Sequence, residues 1–298
     1  MTNPEPQFDI ASHYDVMEQL DRDIHDNQKL SASEAALAIK LSRRYLGRMP
    51  ESVFLPCFGT GRHIPFLLKA GVKQIVGIDL SPACVAKARE QLGPDHRVTL
   101  LEGDLLGLDT KSLGCSFDAT ILLGNSFGDC TDRGKLLKLT TAMMAPLKPL
   151  SVLIMDYIGE SYLERCQNRT ISEWEATLYG KSVKDRRRPR YDWKNQVMSI
   201  DIEVVDKADP NMVIWTGSYQ KSVLSPEDLK THFRCAGLYL ERLQKASKLN
   251  RYVRRNQNQL GMIGQSDWWV GMTGQLFRHH AQINEWVARS FTPWGLTY

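Results

Sequence analysis

The sequence predicts an α/β fold in which parallel strands alternate with helices. Five apolar runs of strand length lie between residues 52 and 157, and segments of helical character, 65–70 and 82–92, follow the first two runs. The first run leads into Gly59-Thr60-Gly61, and the second ends in Asp79. Strand ends that carry such residues predict a ligand site along one edge of a parallel sheet.

The glycine turn and the acid together indicate half of a nucleotide site. Glycines allow the backbone to approach a ligand closely, and an acid at the tip of the second strand can accept both hydroxyls of a ribose. A glycine pair alone is common in surface turns. Asp79, about 20 residues after the turn and at a strand end, makes a nucleotide site the better interpretation.

The next three strands end in polar or small residues at the same edge. The third run, at 98–102, is followed by Asp104, and the fourth, at 117–123, is followed by Gly124, Asn125 and Ser126. The fifth run, at 152–156, is apolar without interruption, which predicts burial on both faces. It brings Asp156 and Tyr157 to the strand ends.

In this order and at these intervals the chain resembles class I S-adenosylmethionine-dependent methyltransferases. The resemblance covers roughly residues 40–160 and continues more weakly to about residue 245. Leu123 to Phe127 resembles the fourth-strand motif of the glycine N-methyltransferase branch. The resemblance implies a Rossmann-like seven-stranded sheet, S-adenosylmethionine as the cofactor, and a small-molecule acceptor, most simply an amine or an amino acid.

The resemblance also implies which residues contact the cofactor. Leu55 stands where the family usually has an acid, and Cys57 stands where it usually has its first glycine. These departures concern the group that holds the ammonium of the methionine moiety. The implied cofactor contacts are Cys57, Gly59, Thr60, Gly61, Asp79, Leu80, Asp104, Leu105, Gly124, Asn125 and Ser126.

Residues 1–48 are predicted to form a helical lid, with helices at 8–26 and 31–46. In the resembled fold such a segment folds over the cofactor, which makes Tyr14 a candidate lid residue. The alternative is that Tyr14 packs the helix on the sheet and leaves its hydroxyl in water.

Residues 49–246 are predicted to form the cofactor-binding domain, with an insertion at about 158–224 that covers the acceptor site. Within the insertion, 197–205 and 212–223 alternate with period two around a turn, which predicts an antiparallel hairpin. Residues 184–190 carry four arginines, and a solvated loop is the expected structure. One of these arginines binding a substrate carboxylate is the functional alternative.

The remaining segments are a helix that begins at Ser225, a strand at 238–243, and a C-terminal extension at 247–298. The extension carries four tryptophans and a predicted helix at 275–289. So many large apolar rings are not typical of a disordered tail. We therefore expect the extension to pack on the core or to form a homodimer contact.

Composition favours a cytoplasmic enzyme. The 298 residues have a net charge of +4, which is too mild to indicate a nucleic-acid partner, and no apolar run approaches the length of a membrane span. Six cysteines form no C-x-x-C pair, so reduced thiols are expected, and no clustered histidines and cysteines indicate a metal site.

Two chemistries fit these residues, and a third interpretation is not enzymatic. In methyl transfer, Asn125, Tyr157 and Tyr14 are the predicted catalytic residues that hold the acceptor, and Asp156 is a base only if the fold exposes it. Alternatively, the cofactor's own amine attacks its γ-carbon, which gives azetidine-2-carboxylate and methylthioadenosine. A cofactor-binding protein without turnover is the third interpretation.

Overall fold

The computed structural model describes residues 10–21, 27–157, 172–235, 239–245 and 268–274. Its helices and strands, numbered in chain order over these residues, are α1 (Ile10–Leu20), α2 (Gln28–Leu46), β1 (Ser52–Pro56), α3 (Ile64–Ala70), β2 (Gln74–Asp79), α4 (Pro82–Leu92), β3 (Val98–Glu102), β4 (Phe117–Leu122), α5 (Arg133–Met144), β5 (Leu147–Tyr157), β6 (Ser172–Leu178), β7 (Lys181–Asp192), β8 (Val197–Asp206), β9 (Val213–Ser222), α6 (Pro226–Cys235), β10 (Tyr239–Lys245) and β11 (Trp268–Gly274). None of these helices is long and apolar enough to cross a membrane.

The central sheet has seven strands in the order β10-β11-β5-β4-β1-β2-β3. Strands β1 to β5 are parallel, and β1 lies between β2 and β4. Strand β11 pairs antiparallel with both β5 and β10. The predicted α/β fold with a seven-stranded sheet is therefore confirmed.

The seventh strand comes from a part of the chain that the sequence assigned to a C-terminal extension. Trp268–Gly274 pairs with Ser151 to Tyr157 and separates β5 from β10. The sheet therefore continues past residue 246, because this strand completes it from a distance along the chain. The helix predicted at 275–289 lies outside the described residues.

Alternate residues of the central strands build two cores, one on each face of the sheet. Val53, Leu55 and Ile154 pack on one face with residues of α2, α3 and α4. Phe54 and Met155 pack on the other face with residues of α5 and α6. Burial on both faces confirms the interpretation of the uninterrupted apolar runs.

Two helix starts illustrate how local sequence sets the fold. Helix α4 begins as predicted, because the Ser81 Oγ accepts a hydrogen bond from Cys84 N at 3.1 Å and Pro82 follows as the first helical residue. Helix α2 begins earlier than predicted, because Asn27 caps it by accepting from Leu30 N at 3.0 Å.

The insertion forms a four-stranded antiparallel sheet, β6-β7-β8-β9, which we call the roof sheet. Strands β8 and β9 are the predicted hairpin, and β6 and β7 extend it to four strands. Val16, Met17 and Leu20 of α1 pack into the buried face of the roof sheet, beside residues such as Val183 and Met198.

The arginine-rich segment was predicted to be a solvated loop, and this prediction was wrong. It lies in β7, where alternate side chains point to opposite faces. Asp185 and Arg187 face the buried side, whereas Arg186 pairs with Glu173 and Glu203 on the other side. The charges on alternate positions are satisfied by cross-strand partners, and for this reason a dense charge run can form a strand.

Candidate functional site

A cavity of about 700 Å³ lies at the carboxyl ends of the parallel strands, between the central sheet, α1 and the roof sheet. All eleven residues for which the resemblance implied cofactor contacts line this cavity, and so does Tyr14. These predicted residues therefore form one continuous surface. The lining residues that the sequence did not single out come from several elements, among them the roof sheet, α1 and the segment 129–135 that leads into α5.

The turn after β1 has the geometry that a bound ligand needs. Cys57, Gly59 and Gly61 all have positive φ, at 51°, 58° and 70°. A Cβ added at Gly59 would meet no protein atom within 4 Å, so the cavity opens directly onto its backbone. A Cβ at Gly61 would lie 3.2 Å from Ala88 and Ile64, so this glycine permits close packing of the helices.

Asp79 ends β2 and holds this turn. Its Oδ2 accepts from Gly59 N at 2.7 Å, and its Oδ1 accepts from Ser81 N at 3.0 Å. Burial raises the pKa of Asp79, and the backbone hydrogen bonds only partly oppose this effect. Each carboxylate oxygen keeps a second acceptor site, which suits the two hydroxyls of a ribose.

The tip of β3 offers an exposed acid beside a buried apolar residue. Asp104 Oδ1 accepts from Leu106 N at 2.9 Å and caps a short 3₁₀ turn. Leu105, the next residue, is buried. This pairing gives the cavity one polar and one apolar surface at the position where the resemblance implies the adenine.

The tip of β4 is held in an unusual backbone conformation by a neighbouring strand. Gly124 and Asn125 have φ of 88° and 61°, and their N–H groups donate to Asp156 at 3.2 and 2.9 Å. Asp156 is buried, so the structure uses its carboxylate to position this turn and does not expose it as a base. Asn125 is also buried, and its Oδ1 has no hydrogen-bond partner among the described residues.

Tyr157 does not reach the cavity. Its side chain is 2% exposed and belongs to the core on the face of the sheet opposite to Asp156, together with Phe127 and Met155. Successive residues of a strand point to opposite faces, so Asp156 and Tyr157 cannot both face the ligand. The position of Tyr157 therefore gives no support to its predicted contact with an acceptor.

Tyr14 of α1 lies over the cavity, and its hydroxyl is not left in water. It is hydrogen-bonded to Asp129, and burial, followed by the charge of Asp129, raises the pKa of Tyr14 well above its ordinary value. Helix α1 is fixed on both sides: Ser81 and Lys87 bind its Asp15 and Glu18, and Arg187 binds Asp21.

Asp129 and Lys221 form an ion pair in the cavity wall that the sequence did not indicate. The Lys221 Nζ also donates to the Asn125 carbonyl at 3.3 Å, so a roof strand contacts the tip of β4. Burial would lower the pKa of Lys221, but the charge of Asp129 outweighs burial and raises it. The two residues are 92 positions apart, so only the fold brings them together.

Arg187 is the arginine of the charged run that reaches the cavity. Its guanidinium lies 2.7 Å from both Asp21 and Asp185, and 4.6 Å from the centre of the Trp174 ring. Burial would lower the pKa of Arg187, but the two carboxylates raise it. The positive charge of the guanidinium is therefore balanced by two carboxylates of the protein.

A second charged group in the wall links α2 to the turn after β1. Glu34 accepts from Arg62 at 2.7 Å and lies 2.8 Å from the His63 Nε2, and Arg62 also donates to Ser31 at 3.0 Å. Burial would raise the pKa of Glu34, but Arg62 and His63 outweigh burial and lower it to about 2. Glu34 is therefore ionised and paired.

Comparison with known proteins identifies the domain. Residues 56–149 match a family model described as a methyltransferase domain. A segment of 43 residues is 49% identical to the carboxy-S-adenosyl-L-methionine synthase of Chromohalobacter salexigens, over 13% of this chain and 16% of that protein. The match thus spans about one sixth of the relative's length.

Solved structures of similar fold cover most of the chain. They include DesVI of Streptomyces venezuelae, with a TM-score of 0.63 at 17% identity over 90% of this chain and 99% of that one. The sugar N-methyltransferase KedS8 of Streptoalloteichus sp. has a TM-score of 0.66 at 18% identity, over 92% of this chain and 98% of that one. CalS10 with bound S-adenosylmethionine, an amino pentose methyltransferase of Micromonospora echinaspora, has a TM-score of 0.62 at 18% identity, over 91% of this chain and 99% of that one.

These likenesses show the fold, and the domain match adds the chemistry class. The match over residues 56–149 confirms the predicted methyltransferase domain, and with it the predicted transferase and its cofactor, S-adenosylmethionine. The residues present fit that cofactor, because the cavity opens onto Gly59 and Gly124, where an added Cβ would meet no protein atom within 4 Å. The buried Asn125 Oδ1, which has no partner in the described part of the chain, is an acceptor that a ligand would satisfy.

Proposed function

We propose that this chain, an enzyme of the class I methyltransferase fold, transfers a methyl group to a small-molecule acceptor, an amine or an amino acid. The observation that carries the proposal is the enclosure of the strand tips. The roof sheet and α1 close over Asn125, so the space beside it is bounded by Tyr14, Tyr219 and Lys221. A site closed in this way suits a small molecule better than a polymer.

When bound, S-adenosylmethionine supplies an electrophilic methyl group on a sulfonium, and the residues of the chain act by positioning. Asp79 is proposed to hold the ribose, and Asp104 with Leu105 the adenine. The turn that contains Gly59 and Gly61 is proposed to lie against the methionine part. The Asn125 side chain is proposed to accept a hydrogen bond from the substrate amine beside the reacting centre. Alignment of the reacting atoms there is worth up to several kcal/mol.

Tyr14 is proposed to close the site above Asn125. Because the pKa of Tyr14 is raised, its hydroxyl stays protonated and donates to Asp129 at neutral pH. Exclusion of water by α1 would strengthen the electrostatic interactions inside the cavity. Tyr157 is proposed only as packing support behind the tip of β5.

One observation favours a second candidate, intramolecular cyclisation of the cofactor. The segment that ends β1, from Leu55 to Phe58, lines the cavity without an acid. Glu34 also reaches the cavity, but Arg62 and His63 already bind it. An unpaired carboxylate beside the cofactor amine would favour its charged form, and its absence from this segment leaves the amine more easily deprotonated.

One experiment separates the two candidates. The purified protein is incubated with S-adenosylmethionine alone for hours, beside a boiled control, and the products are analysed by mass spectrometry. Enzyme-dependent methylthioadenosine with a four-carbon amino acid would establish cyclisation. Intact cofactor that turns over to S-adenosylhomocysteine on addition of small amines or amino acids would establish methyl transfer.

Leu55→Glu refines this test. A carboxylate at position 55 is expected to suppress cyclisation and to spare methyl transfer. Because Leu55 is also buried in the core, Leu55→Gln serves as the control for the cost of a polar group there. Tight cofactor binding with neither product would instead indicate a cofactor-binding protein without turnover.

A further inference from the structure

A second cavity, of about 350 Å³, adjoins the first on the side of the roof sheet. Five residues line both cavities: His13, Tyr14, Asp129, Thr131 and Tyr219. Ser218 and Gln220 of β9 extend the second cavity to the exposed side of the roof sheet. The Asp129 carboxylate therefore lies where the first cavity meets the second, which we call the outer chamber.

The charge of the larger cavity favours a cation. Among the described residues, eight carboxylate side chains and four basic side chains line it. Three of the four basic groups are already paired: Arg62 with Glu34, Arg187 with Asp21 and Asp185, and Lys221 with Asp129. The fourth, Lys135, is exposed at the start of α5.

A carboxylate-bearing acceptor would therefore meet few donors in this site. A carboxylate bound to Arg187 would be the third around one guanidinium, beside Asp21 and Asp185, and like charges so close together repel. This argues against the interpretation in which an arginine of β7 binds a substrate carboxylate. An ammonium group, in contrast, could share the Asp129 carboxylate, because Lys221 and Tyr14 use only part of its capacity to accept hydrogen bonds. Asn125 lies nearby, since Lys221 also donates to its backbone carbonyl.

The outer chamber has an aromatic wall. Among the residues that line the second cavity, the His13 ring lies 5.6 Å from Tyr14 and 5.3 Å from Tyr219, measured between ring centres. Burial lowers the pKa of His13 to about 4, so its ring is neutral at neutral pH and does not repel a cation. Aromatic rings attract both apolar groups and ammonium groups.

We propose, on the basis of the methyltransferase function proposed above, that the methyl acceptor is an amine that carries an aromatic or apolar group and no carboxylate. This amine enters through the second cavity, and Asp129 binds its nitrogen there. The ammonium loses one proton to water in the outer chamber. The neutral nitrogen then bonds to the methyl carbon while the carbon–sulfur bond breaks, and the electron pair of that bond stays on sulfur. The products are a methylated ammonium and uncharged sulfur in S-adenosylhomocysteine.

The test is calorimetric titration of the full chain saturated with S-adenosylhomocysteine. The probes are 2-phenylethylamine, phenylalanine and 3-phenylpropionate, which share a phenyl body and differ in their charged groups. We expect the amine to bind at least tenfold more tightly than either carboxylate. Asp129→Asn is expected to weaken amine binding at least tenfold.

Asp201→Asn is the matched control. Asp201 is an exposed aspartate of the roof sheet that lines neither cavity. Amine affinity in this variant should stay within twofold of the wild type. Retained binding of S-adenosylhomocysteine shows that a variant is folded, and the ranking of the three probes in the wild type needs no variant.

The proposal is overturned if the amine does not bind, if a carboxylate probe binds as tightly as the amine, or if Asp129→Asn binds the amine unchanged. In these cases bound S-adenosylhomocysteine leaves the proposed methyltransferase function standing. A protein that fails to bind S-adenosylhomocysteine would overturn both proposals.

Discussion

The two ends of the parallel strands carry carboxylates in opposite circumstances: Asp118 is buried, and Asp79 is half-buried. At the amino-terminal end, Asp118 of β4 accepts from Arg48 at 2.8 Å, Lys148 at 3.0 Å, Glu51 N at 2.8 Å and Ser52 N at 3.2 Å. Burial would raise the pKa of Asp118, but these donors outweigh burial and hold it well below its usual range.

At the carboxyl end, the effect of burial on the pKa outweighs that of the hydrogen-bond donors. Asp79 accepts from two backbone N–H groups, and burial still raises its pKa. On β4 itself, Asn125 leaves its Oδ1 without a partner among the described residues. The comparison indicates that one end of the sheet is internally satisfied and stabilises the fold, whereas the other keeps polar groups that a ligand can satisfy.

The largest effect should come from removing the carboxylate at the site end. Asp79→Ala is expected to weaken S-adenosylmethionine binding about a hundredfold, or about 2.7 kcal/mol, because two ribose hydroxyls lose their acceptor. Isothermal titration calorimetry measures the change. Asp201→Ala, at an exposed aspartate of the roof sheet, is the control and should bind normally. Unchanged affinity in Asp79→Ala would remove the assignment of the ribose site.

The next effect belongs to the opposite end of the sheet. Asp118→Ala should lower the free energy of unfolding by roughly 2 kcal/mol, because the N–H groups of Glu51 and Ser52 lose their acceptor, and that of Ser52 is buried. The cost is limited because Arg48 and Lys148 are 54% and 42% exposed and can be solvated. Urea unfolding measures it, and cofactor affinity of the folded protein should not change. A large loss of affinity would contradict the separation of the two ends.

These two aspartates also show what the sequence could and could not reveal. Asp79 follows a strand and a glycine turn, so its role was readable from local order, as was the position of Gly59, Thr60 and Gly61 in the cavity wall. Asp118 lies within an apolar run, and its donors come from segments up to 70 residues away. Nothing in the local pattern indicates such a network.

The same reasoning explains the remaining differences between prediction and structure. The place of β11 between β5 and β10 depends on pairing with Ser151 to Tyr157, more than 100 positions earlier. The ion pair of Asp129 and Lys221 likewise forms only after the roof sheet folds onto the central sheet. The period-two alternation of β7 was present in the sequence, but the number of charges obscured it.

A smaller effect should distinguish binding from turnover at the site end. Asn125→Gly removes the side-chain amide, whose Oδ1 has no partner among the described residues, but keeps the positive φ without strain. We expect kcat to fall about tenfold, or about 1.4 kcal/mol, with cofactor affinity within twofold, because the amide is proposed to contact the acceptor. Asn125→Ala is the comparison, since alanine adds roughly 1–2 kcal/mol of backbone strain in that conformation. Equal losses of kcat and cofactor affinity would make Asn125 a cofactor-binding residue only.

The smallest effect is a difference in sign with pH between the two carboxylates in the ligand-free protein. Because the folded pKa of Asp118 is lowered, its carboxylate stabilises the fold above the unfolded pKa of about 3.9 and loses this contribution as pH falls. Because the folded pKa of Asp79 is raised, its protonated form contributes stability below about pH 3.9, and this contribution is lost as pH rises through the folded pKa.

Two isosteric variants measure this difference by urea unfolding between pH 4 and pH 7. Asp118→Asn should be less stable than the wild type at pH 7, and the deficit should shrink toward pH 4. Relative to the wild type, Asp79→Asn should gain stability from pH 4 toward pH 7, because it removes a half-buried charge that has no basic partner among the described residues. Parallel pH profiles for the two variants would mean that both aspartates serve the fold alike, and the distinction between a satisfied end and a ligand-binding end would then fail.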